Sequence, residues 1–292
     1  MRRILRFADD YPTALRVMLA TNYRCPEPVV EASARLIETN QERFAKPIRA
    51  GALGTSGTAI SAVRTDRAGW AESLARLAAA HDAERRTCCF LSRTRSELMP
   101  VQLALIRTGT RHATAVPGPA EAESVRRLVD GLRRRPDGPV PFHALLELRG
   151  TLGWRRGDPA GDALGDDDHA ALDAALGWAV AFPTASAYLA AYDAAVARLA
   201  ALRDPDAPVE LATIHGSKGR EWQTVVIVGF EEDRFPNRRA LVGAAEPERA
   251  VEEERRLAYV ALTRATERLI LAFDPAKPSR FLAEMGFTNR PG

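Results

Sequence analysis

Runs of apolar residues of strand length, separated by stretches with helical spacing, constrain this chain more than any other feature. Cys88-Cys89-Phe90-Leu91, Val225–Val228 and Leu269–Phe273 are nearly continuous apolar segments. The alternation favours an α/β layer structure. The expected strands are Leu15–Leu19, Thr58–Val63, Cys88–Ser92, His112–Val116, Val209–Ile214, Val225–Val228 and Leu269–Phe273. Expected helices cover about Pro26–Asn40, Trp70–Ala80, Ser96–Arg107 and Glu248–Thr263. A proline near a first helical turn is tolerated there because its missing N–H would have had no partner.

The character changes between residues 117 and 205. Pro117-Gly118-Pro119, Arg133–Pro141 and Gly157–Asp168 are punctuated by turn residues, and Ala170–Phe182 and Ala185–Leu202 are alanine-rich with helical spacing. An α/β unit over residues 1–116 is therefore expected to be split by a helical insertion over 117–205 and resumed over 206–292. The acidic run Asp166-Asp167-Asp168 suits a solvated helix start, where carboxylates are favoured.

Composition narrows the function classes. No apolar stretch approaches the ~18 residues of a membrane span, and no apolar region follows Met1-Arg2-Arg3, so a cytoplasmic protein is expected. The net charge is only +3, and arginine supplies 38 of the 41 basic residues; the lysines are Lys46, Lys218 and Lys277. A nucleic-acid site would therefore be a local groove rather than a basic surface. Cys25, Cys88 and Cys89 read as small buried apolar residues. The histidines at 81, 112, 143, 169 and 215 are too scattered to suggest a metal centre or a metal-dependent nuclease.

Three polar segments interrupt this pattern: Asn22-Tyr23-Arg24, Thr213–Trp222 and Glu252–Ala265. Ligands in α/β sheets usually bind beyond the C-terminal ends of strands, and the first two segments follow strand patterns. Gly216-Ser217-Lys218-Gly219 could bring backbone N–H groups and a cation to a phosphate, or could be a simple turn. Glu252-Glu253-Glu254-Arg255-Arg256 above Leu257, Val260 and Ala261 is most simply a solvated charged face, and Arg264 suits a helix C-terminus.

Taken in order, these segments closely resemble motifs IV, V and VI of UvrD/Rep/PcrA-type superfamily 1 DNA helicases. Gly229-Phe230-Glu231-Glu232-Asp233-Arg234-Phe235-Pro236 resembles that family's connecting segment. The resemblance implies the second RecA-like motor domain, with a parallel sheet flanked by helices and a small helical insertion in place of a larger accessory domain. It implies ATP as the nucleotide, with Tyr23 stacking on adenine, Glu221 bonding to the ribose, and Arg24 and Arg264 reaching the γ-phosphate as catalytic arginines. Gly219 belongs to the same nucleotide-site loop. Thr213 and His215 would touch single-stranded DNA, supported by Lys218. Cys25 and Arg220 depart from the usual serine and leucine of the family.

No GxxxxGK[ST] sequence occurs in the chain. The resemblance therefore implies that the Walker loop and the residues holding Mg²⁺ belong to an N-terminal helicase domain, in the same or a separate chain. The present chain is expected to be catalytically incompetent alone, with 3′–5′ translocation in the whole enzyme. The alternative is a non-catalytic DNA-binding or docking module working with a separate Walker-containing chain.

Overall fold

The computed structural model describes residues 7–15, 17–51, 59–114, 118, 121–135 and 140–287. Its centre is a six-stranded parallel sheet in the order β3-β8-β7-β4-β6-β5. In chain order these are β3 (Ile60–Arg64), β4 (Cys88–Ser92), β5 (Ala113–Thr114), β6 (Val209–Thr213), β7 (Trp222–Val228) and β8 (Ala265–Phe273). A separate parallel pair joins β1 (Thr21–Asn22) to β2 (Arg49–Ala50). The apolar runs are the central strands: all of β4 is buried, as are all of β7 but Gln223 and the last five residues of β8. Cys88 lies in that dry layer, and burial pushes its thiol up to about 12, which makes it unreactive.

The expected strand over Leu15–Leu19 is not formed. Leu15, Val17 and Leu19 are 90%, 69% and 77% exposed, and pairing begins only at Thr21 (Arg16 lies outside the described residues). Apolar content alone misplaced it, because among the described residues no strand pairs with that run. The expected strand at His112–Val116 is reduced to Ala113–Thr114, and its last two positions fall outside the described residues, as does Thr58 of the expected second strand.

The chain divides into two compact units. The first comprises residues up to Ser73, Ala83–Arg93 and the chain from Ala212 onward. Its core gathers Val29, Cys89, Leu91, Val225, Ile227, Phe230, Phe235, Leu269, Leu271 and Phe281. Two helices cover it, α1 (Glu27–Glu38) and α2 (Pro247–Leu262).

The second unit takes in Leu74–Asp82 and Thr94–Leu211. Helices α3 (Glu123–Arg133), α4 (Pro141–Thr151), α5 (Asp166–Ala179) and α6 (Ala185–Leu202) enclose its core around Leu128, Leu145, Leu172 and Tyr188. The acidic run does begin a helix, α5, but its start is tied down rather than solvated. Asp167 accepts the Ser96 N–H at 3.0 Å, and Asp168 accepts the Ser124 hydroxyl at 2.8 Å. His169 is buried, with one ring nitrogen 2.9 Å from the Gly161 carbonyl and the other 3.3 Å from Arg149.

His112 gives this unit an acid-sensitive point. It is fully buried, its Nδ1 lies 3.1 Å from the Thr110 carbonyl, and its Nε2 has no partner among the described residues. Nδ1–H donates to the carbonyl, so protonation would place a second N–H in the core with nothing to accept it. Burial holds its pKa below the ordinary histidine value, and Arg203 adds to the effect. In this case the unfolded chain takes up the proton first. The contribution to stability is complete above about pH 6.5, and it is lost as pH falls toward the depressed folded-state pKa. Thermal melts from pH 8 to 5 are expected to show this loss, and His112→Gln is expected to flatten it; an unchanged slope in the variant would refute the assignment.

Candidate nucleotide site at the start of the central strands

The Asn22-Tyr23-Arg24 segment is shaped by its own asparagine. Asn22 Oδ1 accepts the N–H groups of Arg24 at 2.9 Å and Cys25 at 3.0 Å, an Asx turn that throws the next two side chains outward. Tyr23 is accordingly 68% exposed. Its ring lies over Gly51, where a Cβ would come within 2.5 Å of the ring's Cδ1 atom. Cys25 turns inward, its thiol 3.5 Å from the Thr263 carbonyl, and burial raises its pKa. A hydroxyl could make the same bond, so the cysteine at this position leaves the turn's anchorage to α2 intact.

Three distant segments converge here. The Arg24 guanidinium pairs through Nε with the Glu221 carboxylate, and both groups are about half exposed. Arg264 is held by carbonyls and a hydroxyl: Nε donates to Val260 O at 3.0 Å, Nη1 to Arg220 O at 3.1 Å, and Nη2 to Thr263 Oγ1 at 3.4 Å. It thus caps the end of α2, as a cation near a helix C-terminus should. Burial lowers its pKa, and the positive charge of Arg24 lowers it further, so the two guanidinium groups share one electrostatic neighbourhood. Tyr259 belongs to the same neighbourhood, its hydroxyl pKa raised by burial. An open pocket of about 390 Å³ lies against these residues, lined by Asn22, Tyr23, Arg24, Lys46, Ile48 and Tyr259 among others.

The position of Glu221 departs from the sequence expectation, whereas Arg264 lies where a helix runs into a strand, as that segment's pattern predicts. Glu221 and Arg264 stand immediately before β7 and β8, whose first residues Trp222 and Ala265 are in register. They therefore lie at the start of the strands, not beyond the C-terminal ends. The reason is the connectivity: α2 runs back along the sheet and delivers Arg264 to the beginning of β8.

Thr213, His215 and Lys218 are placed elsewhere. Ile214 N–H donates to Ser92 O at 2.9 Å, which sets this loop at the far ends of β4 and β6. His215 and Lys218 are exposed. Desolvation lowers the His215 pKa, with further contributions from Arg93 and Lys218. The loop itself is a 3₁₀ turn over His215–Ser217, and it is not an open nest of N–H groups. Gly216 N–H is 3.4 Å from Thr213 Oγ1, Ser217 N–H donates to Ile214 O, and Arg220 N–H donates to Ser217 O. Gly219 has φ +79°, a conformation that favours glycine, and it turns the chain toward Glu221.

The charged run on α2 is not a solvated face. Glu252, Glu254 and Arg255 are buried, while Glu253 is exposed. Glu252 accepts the Gln41 N–H at 2.6 Å and Arg256 at 2.9 Å. Glu254 binds Arg93 and the Asn237 N–H, and Arg255 binds Glu284 and Asn40. Loops cover both flanks of the helix, so its charges are paired and hydrogen-bonded as burial requires. These glutamates are also not the partners of the candidate arginines, since Arg24 pairs with Glu221. The Glu231–Glu232 pair likewise fastens loops: Glu231 is 6% exposed and accepts the Asp274 N–H at 3.0 Å, and Glu232 pairs with Arg280. The sequence assigns no role to Asn22, Lys46, Gly51, Arg93 or Tyr259, although Asn22 and Tyr259 lie inside the motif segments. Only Asn22, preceding an exposed Tyr-Arg pair, carried a local signal.

Among the described residues, no group of three or more His, Cys, Asp or Glu side chains is placed to hold a metal ion, and no helix is long and apolar enough to cross a membrane.

The architecture is thus a mixed α/β protein with a six-stranded parallel sheet and a cationic pocket beside its central strands. Residues 197–274 match the family model of the UvrD-like helicase C-terminal domain. DNA helicase II of Haemophilus influenzae is 42% identical over 87 residues, covering 26% of this chain and 11% of that protein. The ATP-dependent DNA helicase PcrA of Leuconostoc citreum is 42% identical over 90 residues, covering 27% and 12%. The match thus spans only about a ninth to an eighth of those relatives' length. Among solved structures, the C-terminal domain of a possible DNA helicase from Lactobacillus plantarum WCFS1 has a TM-score of 0.41 at 12% identity, covering 90% of this chain and 94% of that one.

Proposed function

We propose that this chain is the second motor domain of an ATP-dependent DNA helicase or translocase. In this role it supplies Arg24 and Arg264 to the γ-phosphate of an ATP whose other half is held by a Walker-containing domain. The observation that carries the proposal is the convergence of Arg24, Glu221 and Arg264 from three distant segments into one neighbourhood. Two guanidinium groups with a single carboxylate between them leave excess positive charge, which suits a polyphosphate. Tyr23 offers an exposed ring for adenine, and Glu221 an acceptor for the ribose. Gly219 positions that glutamate. Mg²⁺ and the Walker lysine belong, in this scheme, to the N-terminal domain, so the isolated chain neither hydrolyses ATP efficiently nor unwinds DNA.

Thr213, His215 and Lys218 form the single-stranded DNA contact at the opposite ends of the strands, next to Arg93. Loop 214–221 joins the two sites within one stretch of chain, which supports coupling between nucleotide state and grip on DNA. We take residues 1–116 and 206–292 as the RecA-like motor and 117–205 as a reduced insertion, and by resemblance the movement is 3′–5′. The decisive experiment adds this chain to a Walker-containing first motor domain from a helicase of the same type and measures DNA-stimulated ATP hydrolysis. Activity that requires both parts and is lost in Arg264→Ala is the expected outcome; turnover indifferent to this chain sinks the proposal.

The contact between Tyr23 and Gly51 yields a gentler probe. Gly51→Ala is expected to push the Tyr23 ring aside and forfeit stacking worth about 0.5–1.5 kcal/mol. Adenine-nucleotide affinity should fall roughly two- to tenfold with little change in melting temperature. An unaltered affinity would remove Tyr23 from the site.

A further inference from the structure

Lys46 is one of only three lysines in the chain, and it lines the pocket beside Tyr23, Arg24 and Tyr259. It is half-buried, three residues before β2, and it lines the same pocket as the Asn22–Arg24 turn. Among the described residues it forms no hydrogen bond or ion pair. That sets it apart from the neighbouring cations: Arg24 is matched by Glu221, and Arg264 is satisfied by carbonyls. An ammonium group on a long flexible stem, in one pocket with the Arg24 guanidinium and with no carboxylate of its own, is a point charge waiting for an anion. Ile48, Tyr23 and Tyr259 also line the pocket, which suits an anion carried on a ring that stacks beside this charge.

We propose that Lys46 is a phosphate-contacting residue of the nucleotide pocket, a third cation acting with Arg24 and Arg264. The inference rests on the nucleotide reading of this pocket. It goes beyond that reading by assigning phosphate recognition to the strand that enters the small sheet. Lys46 is a binding residue here, and it moves no proton.

The test is direct binding to the 292-residue chain, using a fluorescent ATP analogue and, separately, adenosine, with Lys46→Gln, Lys46→Arg and Arg24→Gln. Lys46→Gln is expected to weaken triphosphate binding by about three- to tenfold, to leave adenosine binding unchanged and to make the remaining binding less sensitive to salt. Lys46→Arg, which keeps the charge, should recover most of the loss. Unchanged triphosphate affinity in Lys46→Gln, with a loss in Arg24→Gln, refutes the role of Lys46 and leaves the nucleotide pocket standing. Equal losses for adenosine and triphosphate also refute it, because the lysine would then be shaping the pocket. A loss of single-stranded DNA binding alone assigns the charge to another ligand and refutes it too. If the unaltered chain binds no triphosphate even with the Walker-containing first motor domain added, both readings fall.

Discussion

Arg264→Ala is expected to lower DNA-stimulated ATP hydrolysis in the assembled motor by about 10³–10⁵-fold, the range for removing an arginine that stabilises a transferring phosphoryl group. That loss corresponds to roughly 4–7 kcal/mol of barrier. The size follows from how the side chain is held. Three hydrogen bonds, to Val260, Arg220 and Thr263, fix the guanidinium at the end of α2, so little orientation remains to be lost when charge develops. Burial and the proximity of Arg24 disfavour its positive charge in the free protein, which lowers its pKa. An incoming phosphate relieves that penalty, and relief grows as the phosphoryl group separates. Arg264→Lys should recover little, because an ammonium cannot make the same three fixed bonds while also reaching the ligand. The measurement is kcat at saturating ATP, with a melt to show that the variant is folded. A loss smaller than tenfold would remove Arg264 from the chemistry and leave it as a helix cap.

The fold was legible where burial leaves a strong local trace. Cys88–Ser92 and Ala185–Leu202 were read to the residue, because an all-apolar strand and an alanine-rich helix bounded by turn residues admit few alternatives. The first strand was misread at Leu15–Leu19, where apolar side chains stay exposed and pairing depends on Arg49–Ala50, nearly thirty residues away. The charged segment on α2 was misread for the opposite reason. Nothing in Glu-Glu-Glu-Arg-Arg says that segments at residues 40, 93, 237 and 284 will cover it. At the candidate site, motif order named Tyr23, Arg24, Glu221 and Arg264. Lys46 and Gly51 carry no such pattern, since each matters only through what the small sheet places beside it.

The buried middle of that same helix carries the largest expected effect on stability. Glu254 is 3% exposed, and its carboxylate receives Arg93 through Nε at 3.0 and 3.1 Å and through Nη2 at 2.8 Å, together with the Asn237 N–H at 2.9 Å. Arg93 is itself only 18% exposed at the side chain. Glu254→Ala removes the acceptor and strands a guanidinium and a backbone N–H away from water. Breaking a buried pair from one side costs about 3–5 kcal/mol, which lowers the melting temperature by roughly 6–20 °C for a domain of this size. Removing both charges is a different matter: Glu254→Leu combined with Arg93→Met leaves no orphaned ion, and only the Asn237 N–H stays unpaired. The double variant should therefore regain most of the loss, since apolar replacement of a whole buried pair is often neutral. Because Arg93 borders His215, the recovered double variant should still bind single-stranded DNA less tightly than the original, separating the structural from the binding contribution of this arginine. If the single variant melts within about 1 kcal/mol of the original protein, the pair is solvent-relieved and α2 is held chiefly by its apolar stripe of Ala258, Ala261 and Leu262.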